Sequence, residues 1–169
     1  MFRPGRIDWL IVEDSVRTAI AGAASYLIAR MLGMPEAYWA TFSALIVTQS
    51  SLGAAATISW QRLAGTVLGA GLGGVLATYF HASLLVFALG VFLLGILCAL
   101  LRLGVAYRFA AVTLTLIMLI PRDRAAWVVA GHRLVEVAVG IAVGLACSAL
   151  WPAATLLRRR EAASDAKAP

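Results

Sequence analysis

Charged side chains are scarce in this sequence, and the residue types that carry most enzyme chemistry are scarcer still. Asp, Glu, Lys and Arg make up 13 % of the 169 residues, against about 25 % in soluble domains. A domain of this size exposes a large fraction of its surface and needs polar residues to cover it. With 62 % apolar residues, the composition excludes a soluble enzyme and a disordered chain. Lipid is the solvent that such a sequence requires.

Histidine and cysteine are too few and too scattered to build a reactive or metal-binding site. The chain has two of each, in different segments and without metal-ligand spacing. Cys98 and Cys147 lie inside apolar runs, so we interpret each as a small packed side chain and not as part of a disulfide framework. No glycine-rich phosphate loop follows a strand pattern. We therefore expect no enzyme activity, no metal and no cofactor.

Basic residues are in excess, with a net charge of +6, but they form no nucleic-acid-binding face. They lie singly between apolar stretches or in the tail Arg158–Arg160, which is unlike a basic patch on a polar domain. Cytoplasmic loops of membrane proteins concentrate Lys and Arg. With the N-terminus inside, ten Lys and Arg lie on the cytoplasmic side and four on the other. The sequence therefore predicts a lipid bilayer as partner, no nucleic acid, and two cytoplasmic termini.

Six apolar stretches, divided by charges, prolines and glycines, are long enough to cross a bilayer. A hydrocarbon core about 30 Å thick needs about 20 mostly apolar residues per helix, with a range of about 17–25. We predict an all-α polytopic membrane protein with six transmembrane helices in residues 15–152, between an interfacial segment at 1–14 and a cytoplasmic basic tail at 153–169. The predicted spans are Ser15–Gly33, Tyr38–Ala54, Leu63–Phe80, Leu84–Leu101, Val105–Ile120 and Val128–Trp151.

Tryptophan gives a second indication of where these helices end. Indole rings prefer the headgroup level of a membrane. All five tryptophans lie at or beside a predicted end: Trp9, Trp39, Trp60, Trp127 and Trp151. Short linkers, among them Thr57–Arg62, join successive spans as antiparallel hairpins.

The sequence resembles itself at an offset of 71 residues. Arg62 aligns with Arg133, Gly69 with Gly140, and Gly73 with Gly144. A repeat of three spans is an odd number, so the second unit enters the membrane upside down, as in the inverted 3+3 repeats of secondary transporters. The alternative is that an arginine followed by spaced glycines is simply a good way to begin a membrane helix.

Glycines spaced four apart mark one face of the third and sixth spans. In lipid no hydrophobic force drives helices together, so small residues permit the close approach that packing needs. We interpret these glycines as packing seams; contact with a substrate is the alternative. They are Gly65, Gly69, Gly73, Gly140 and Gly144.

Glu136 is the one acidic residue that lies well inside a predicted span. Burial in a low-dielectric environment favours the neutral form of a carboxyl group, and such a group can take up a proton on one side of a membrane and release it on the other. We predict that Glu136, with His132 one turn before it, couples transport to protons. The alternative is that Glu136 merely pairs with His132 or Arg133 on its own helix.

Three arginines are candidates for binding an anionic substrate. Arg62 and Arg133 lie at the mouths of the third and sixth predicted spans, and Arg108 lies one turn inside the fifth. A guanidinium stays charged and binds a carboxylate through two hydrogen bonds. The alternatives are that Arg62 and Arg133 set orientation and bind headgroups, and that Arg108 reaches the interface through its long side chain.

The residues also resemble the fusaric acid resistance and aromatic acid exporter family of bacterial membrane transporters. The resemblance rests on Tyr38–Ala40, the apolar run Ser43–Ser51, Gln61–Thr66 with Gly69, and a closing helix at Arg133–Gly144. It implies a six-span inner-membrane module that exports small aromatic or organic acids by proton antiport. Larger members are similar to two such modules joined together, so the single module here implies a homodimer.

A non-transporting assembly or interaction subunit of a larger complex is the alternative function. The two functions predict different structures. In a transporter, the side chains of Arg62, Arg108, Arg133 and Glu136 converge on an internal cavity. In an assembly subunit, the glycine seams face outward and the charges lie at the interfaces.

Overall fold

The computed structural model describes residues 9–49, 52–80, 83–120 and 124–151. Within these ranges the chain forms six α-helices and no β-strand, which confirms the all-α, six-helix prediction. Residues 1–8 and the tail predicted at 153–169 lie outside the described part. The helices are α1 (Trp9–Met31), α2 (Tyr38–Thr48), α3 (Leu52–Tyr79), α4 (Leu84–Leu100), α5 (Ala106–Leu119) and α6 (Ala126–Leu150).

Three predicted boundaries differ from the structure by more than two residues. The second span was predicted to end at Ala54, but α2 ends at Thr48. Helix α3 begins at Leu52, so the predicted linker Thr57–Arg62 is helical and Trp60, 62 % exposed, lies within the helix. This segment contains no proline or glycine, and its arginine is buried inside the bundle, so neither backbone nor charge ends the helix there. Helix α1 begins at Trp9, so residues 9–14 continue into the first span without a break.

By length and composition, one helix of the described chain meets the requirement for a membrane crossing. Within the described ranges, α6 is long and apolar enough to cross a membrane. Helices α1 and α3 have 23 and 28 residues but are less apolar, whereas α2, α4 and α5 have 11, 17 and 14 residues. Six crossings therefore stay a prediction.

Helices α3 and α6 cross at the centre of the bundle and run antiparallel. Ala70 of α3 shares an apolar cluster with Val129 and Ala130 near the start of α6, and Gly74 lies against the ring of Trp127. The short helix α5 packs along α3, and α2 packs along α6. Helix α1 covers α2 and α6, and α4 covers α5 and α3.

The glycine seams face these short helices. A Cβ atom added at Gly69 would lie within 3.0 Å of the Ala110 carbonyl group, and one added at Gly140 would lie equally close to Ala40. At Gly144 the Cβ of Val47 would be 2.9 Å away. Any larger residue at these positions would push the helices apart, so both seams hold α5 and α2 close to the central pair.

Candidate functional site

Arg133 lies at the centre of a buried ionic cluster. Its guanidinium forms one ion pair with Glu136, at 3.0 Å between Nη1 and Oε2, and a second with Glu36. Arg133 is 2 % exposed and Glu136 is fully buried. The guanidinium carbon lies 4.6 Å from the ring centroid of Trp39, which is cation–π geometry. Two carboxylates and an aromatic face therefore surround this one cation.

Glu36 joins the cluster from the turn between α1 and α2. Its carboxylate accepts hydrogen bonds from the Tyr38 hydroxyl at 2.7 Å and the Trp39 indole at 3.2 Å. Its backbone N–H donates to Oε1 of Glu136 at 3.1 Å. Glu136 therefore holds both Arg133 and the backbone that leads into α2.

Arg62 is buried in a different way. It is 6 % exposed, its Nε donates to the Ser43 hydroxyl at 3.0 Å, and its guanidinium carbon lies 5.0 Å from the centroid of Phe109. Among the described residues, no carboxylate lies within ion-pair distance of it. A buried charge without a counter-ion is costly, and such groups cluster at functional sites.

Both arginines line one small cavity among the four inner helices. The cavity holds about 20 Å³, which is room for about one water molecule. An organic acid does not fit in this conformation. The lining residues are Trp39 of α2, Arg62 and Thr66 of α3, Phe109, Val112, Thr113 and Leu116 of α5, and Arg133 and Val137 of α6.

Three of the four charges that were expected to converge do so. Arg62 and Arg133 share the cavity, and Glu136 binds Arg133. Arg108 is exposed because Ala106 and Ala110, two positions away on either side, form the buried face of α5. The expectation that it joins the cavity is therefore wrong.

The positions of the other predicted polar residues also differ from expectation. His132 is partly exposed, and within the described chain no hydrogen bond or ion pair joins it to Glu136. Arg62 lies ten residues after Leu52, and Arg133 seven after Ala126. Both are well inside their helices, not at the mouths.

Several residues of the site were not identified from the sequence. Glu36 and Arg133 are 97 residues apart, and no local pattern links an acid in a turn to an arginine in the last helix. Trp39 was interpreted as an interfacial residue, and Phe109 carried no distinctive signal. Ser43 belongs to the run on which the family resemblance rests, but its contact with Arg62 was not predicted. In the described residues, no group of three or more His, Cys, Asp or Glu side chains is placed to hold a metal ion.

The contacts of α3 with α5 parallel those of α6 with α2. Arg62 lies over Phe109 as Arg133 lies over Trp39. The ring in α5, Phe109, lies 70 residues after the ring in α2, Trp39. The same spacing relates the residues that face the glycines: Ala110 and Ala40, Leu114 and Ala44, and Ile117 and Val47.

The parallel does not extend to Glu136. Glu136 aligns with Gly65, and both face the start of the neighbouring short helix. A Cβ at Gly65 would meet the Ala106 carbonyl group within 3.0 Å, whereas the Glu136 side chain accepts the N–H of Glu36. At this position α3 therefore packs directly against the backbone at the start of α5, whereas α6 contacts the backbone before α2 through the Glu136 carboxylate.

A family model described as fusaric acid resistance protein-like matches residues 23–147. This range contains the last nine residues of α1, all of α2 to α5, most of α6, and every residue of the cavity and the ionic cluster. No curated protein and no solved structure matches the chain.

Proposed function

The chain belongs to the fusaric acid resistance protein-like family, and on this basis we propose that it is a bacterial inner-membrane protein that exports small aromatic or organic acids by proton-coupled transport. The family is one of membrane transporter-like proteins and not of enzymes. This membership confirms the resemblance seen in the sequence. Substrate class, proton coupling and membrane topology are the proposed parts.

The observation that carries this proposal is the buried Arg62 guanidinium. It faces a central cavity and lacks a carboxylate partner among the described residues. A substrate carboxylate supplies that partner through charge-assisted hydrogen bonds, which are strong in a water-poor site. The ring of Phe109 beside it provides an apolar surface for the rest of the molecule.

Glu136 is the proposed proton carrier. It is fully buried, its carboxylate forms an ion pair with Arg133, and it accepts a hydrogen bond from the backbone N–H of Glu36. A change of its protonation state changes its hold on Arg133, which lines the substrate cavity. Since one side chain contacts both the cation of the site and the turn before α2, it links proton binding to the position of a helix.

Six membrane crossings with an inverted 3+3 repeat complete the proposal. The antiparallel crossing of α3 and α6 supports it, as do the matched partners of the two halves. Substrate passage requires the 20 Å³ cavity to widen, and the glycine seams allow α2 and α5 to slide on α6 and α3. We propose that two copies pair; a mass measurement of the detergent-solubilised protein distinguishes one copy from two.

Transport into inverted membrane vesicles tests the function. With a pH gradient, vesicles that contain the protein accumulate a labelled aromatic acid such as benzoate, and they lose this accumulation when the gradient is dissipated. The Glu136→Gln variant inserts normally but does not respond to the gradient. Equal uptake by vesicles with and without the protein would refute transport, and gradient-driven uptake by Glu136→Gln would remove Glu136 as the proton carrier.

A further inference from the structure

The two arginines of the cavity differ in whether carboxylates of the protein contact them. Arg133 contacts two carboxylates of the protein, from Glu136 on its own helix and from Glu36 in the turn before α2. Arg62 contacts a hydroxyl and an aromatic ring, and no carboxylate in the described part of the chain. The cavity therefore has one cation that is open to an external anion and one that is not.

We propose that Glu36 and Glu136 act as internal anions that restrict the site to substrates with a single carboxylate. This inference rests on the proposed function, since it assumes that acids bind in this cavity. When Glu136 is ionised, the formal charges of Arg62, Arg133, Glu36 and Glu136 sum to zero. A monocarboxylate that binds Arg62 meets one free cation, whereas the second carboxylate of a dicarboxylate approaches Arg133, where two fixed carboxylates repel it.

The matched environments of the two arginines make the carboxylates the main difference between them. Each guanidinium lies over an aromatic ring, at 5.0 Å for Arg62 and 4.6 Å for Arg133, and each lines the same cavity. Where Arg133 has Glu136, the aligned position beside Arg62 is Gly65. Replacing Glu36 or Glu136 by a neutral residue should therefore make Arg133, in addition to Arg62, available to bind a carboxylate of the substrate.

Binding of a matched pair of acids to the purified full-length protein in detergent tests this idea. Benzoate and terephthalate have the same ring and differ by one carboxylate, and isothermal titration measures both. We expect the wild-type protein to bind terephthalate at least about tenfold more weakly than benzoate, as repulsion of about 1.4 kcal/mol produces. In Glu136→Gln and in Glu36→Gln, terephthalate binding should strengthen by about tenfold or more, with a smaller change for benzoate.

The variant Glu13→Gln is the matched control. It removes a carboxylate outside the cluster, where Glu13 accepts a hydrogen bond from the Trp151 indole at 2.8 Å, and both affinities should stay at their wild-type values. If both glutamine variants bind benzoate but bind terephthalate no better than the wild type, the internal-anion idea is wrong and the proposed function stands. If the wild-type protein binds neither acid, the proposed function fails, and this inference fails with it.

Discussion

Glu36 and Arg133 form an ion pair across 97 residues of sequence. The carboxylate lies in the turn between α1 and α2, and the guanidinium lies in α6, so the pair fixes the start of α2 to the centre of the bundle. The same carboxylate accepts hydrogen bonds from Tyr38 and Trp39. The cavity and the anchor of α2 therefore share one cation.

The contributions of Glu36 and Arg133 to the free energy of unfolding should be coupled. Glu36→Gln leaves Glu136 on Arg133, so we expect it to lower the free energy of unfolding by about 1–3 kcal/mol, the cost of a lost hydrogen bond to a charged group. A double-mutant cycle with Arg133→Gln, followed by denaturation in detergent, isolates the pairwise term. Strictly additive effects would show that the pair contributes nothing.

Replacement by alanine should have opposite effects on stability at two kinds of glycine in α3 and α6. Gly69→Ala and Gly140→Ala place a Cβ against backbone atoms, and we expect a loss of about 1–3 kcal/mol. Gly71→Ala and Gly131→Ala are the controls in the same two helices, because a Cβ there meets nothing within 4 Å. Alanine favours helix by up to about 1 kcal/mol over glycine, so the controls should hold or raise Tm. Equal Tm values for seam and control variants would contradict the packing.

The aromatic ring beside Arg62 should select for aromatic acids. Phe109→Leu keeps an apolar side chain but removes the face that lies 5.0 Å from the guanidinium. Transport of benzoate should fall by about two- to tenfold, in line with aromatic contacts of about 0.5–1.5 kcal/mol, while transport of hexanoate changes little. A parallel fall for both acids would show that Phe109 acts on helix packing alone.

The proposed topology predicts which loops a membrane-impermeant thiol reagent reaches. In a variant whose Cys98 and Cys147 are replaced by alanine, a cysteine at Ala125 should react in intact cells. A cysteine at Gly104, which is exposed and has open space around it, should react only after permeabilisation. The reverse pattern would place both termini outside, and labelling of both sites in intact cells would refute a crossing by α5.

The number of helices could be predicted because charges, prolines and glycines divide the sequence regardless of tertiary structure. The start of α3 could not. A charged arginine indicates the end of an apolar span, but Arg62 is inside the bundle, where Ser43 and Phe109 contact it. Its partners come from other helices, so nothing within residues 52–62 indicates that the helix continues.

Part of the candidate site could also be predicted from the sequence. Arg62, Arg133 and Glu136 stand out because charge is rare in apolar helices and because the two arginines align at an offset of 71 residues. Arg108 satisfies the same criterion of rarity, but the phase of α5 directs it away from Ala106 and Ala110. Glu36 lies in a turn, where an acid is ordinary, and its importance follows from a contact that only the folded chain makes.

We propose that the Arg62 guanidinium binds the carboxylate of the substrate, and a variant that lacks this charge tests that role. The measurement is gradient-driven benzoate accumulation in inverted vesicles that contain equal amounts of inserted wild-type, Arg62→Gln or Arg108→Gln protein. Both variants remove one arginine charge, but Arg108 is exposed. We predict a fall of about tenfold or more for Arg62→Gln, the effect of a lost charged hydrogen bond of about 1.5–3 kcal/mol, and near wild-type accumulation for Arg108→Gln. Undiminished accumulation by Arg62→Gln would show that Arg62 does not bind the substrate.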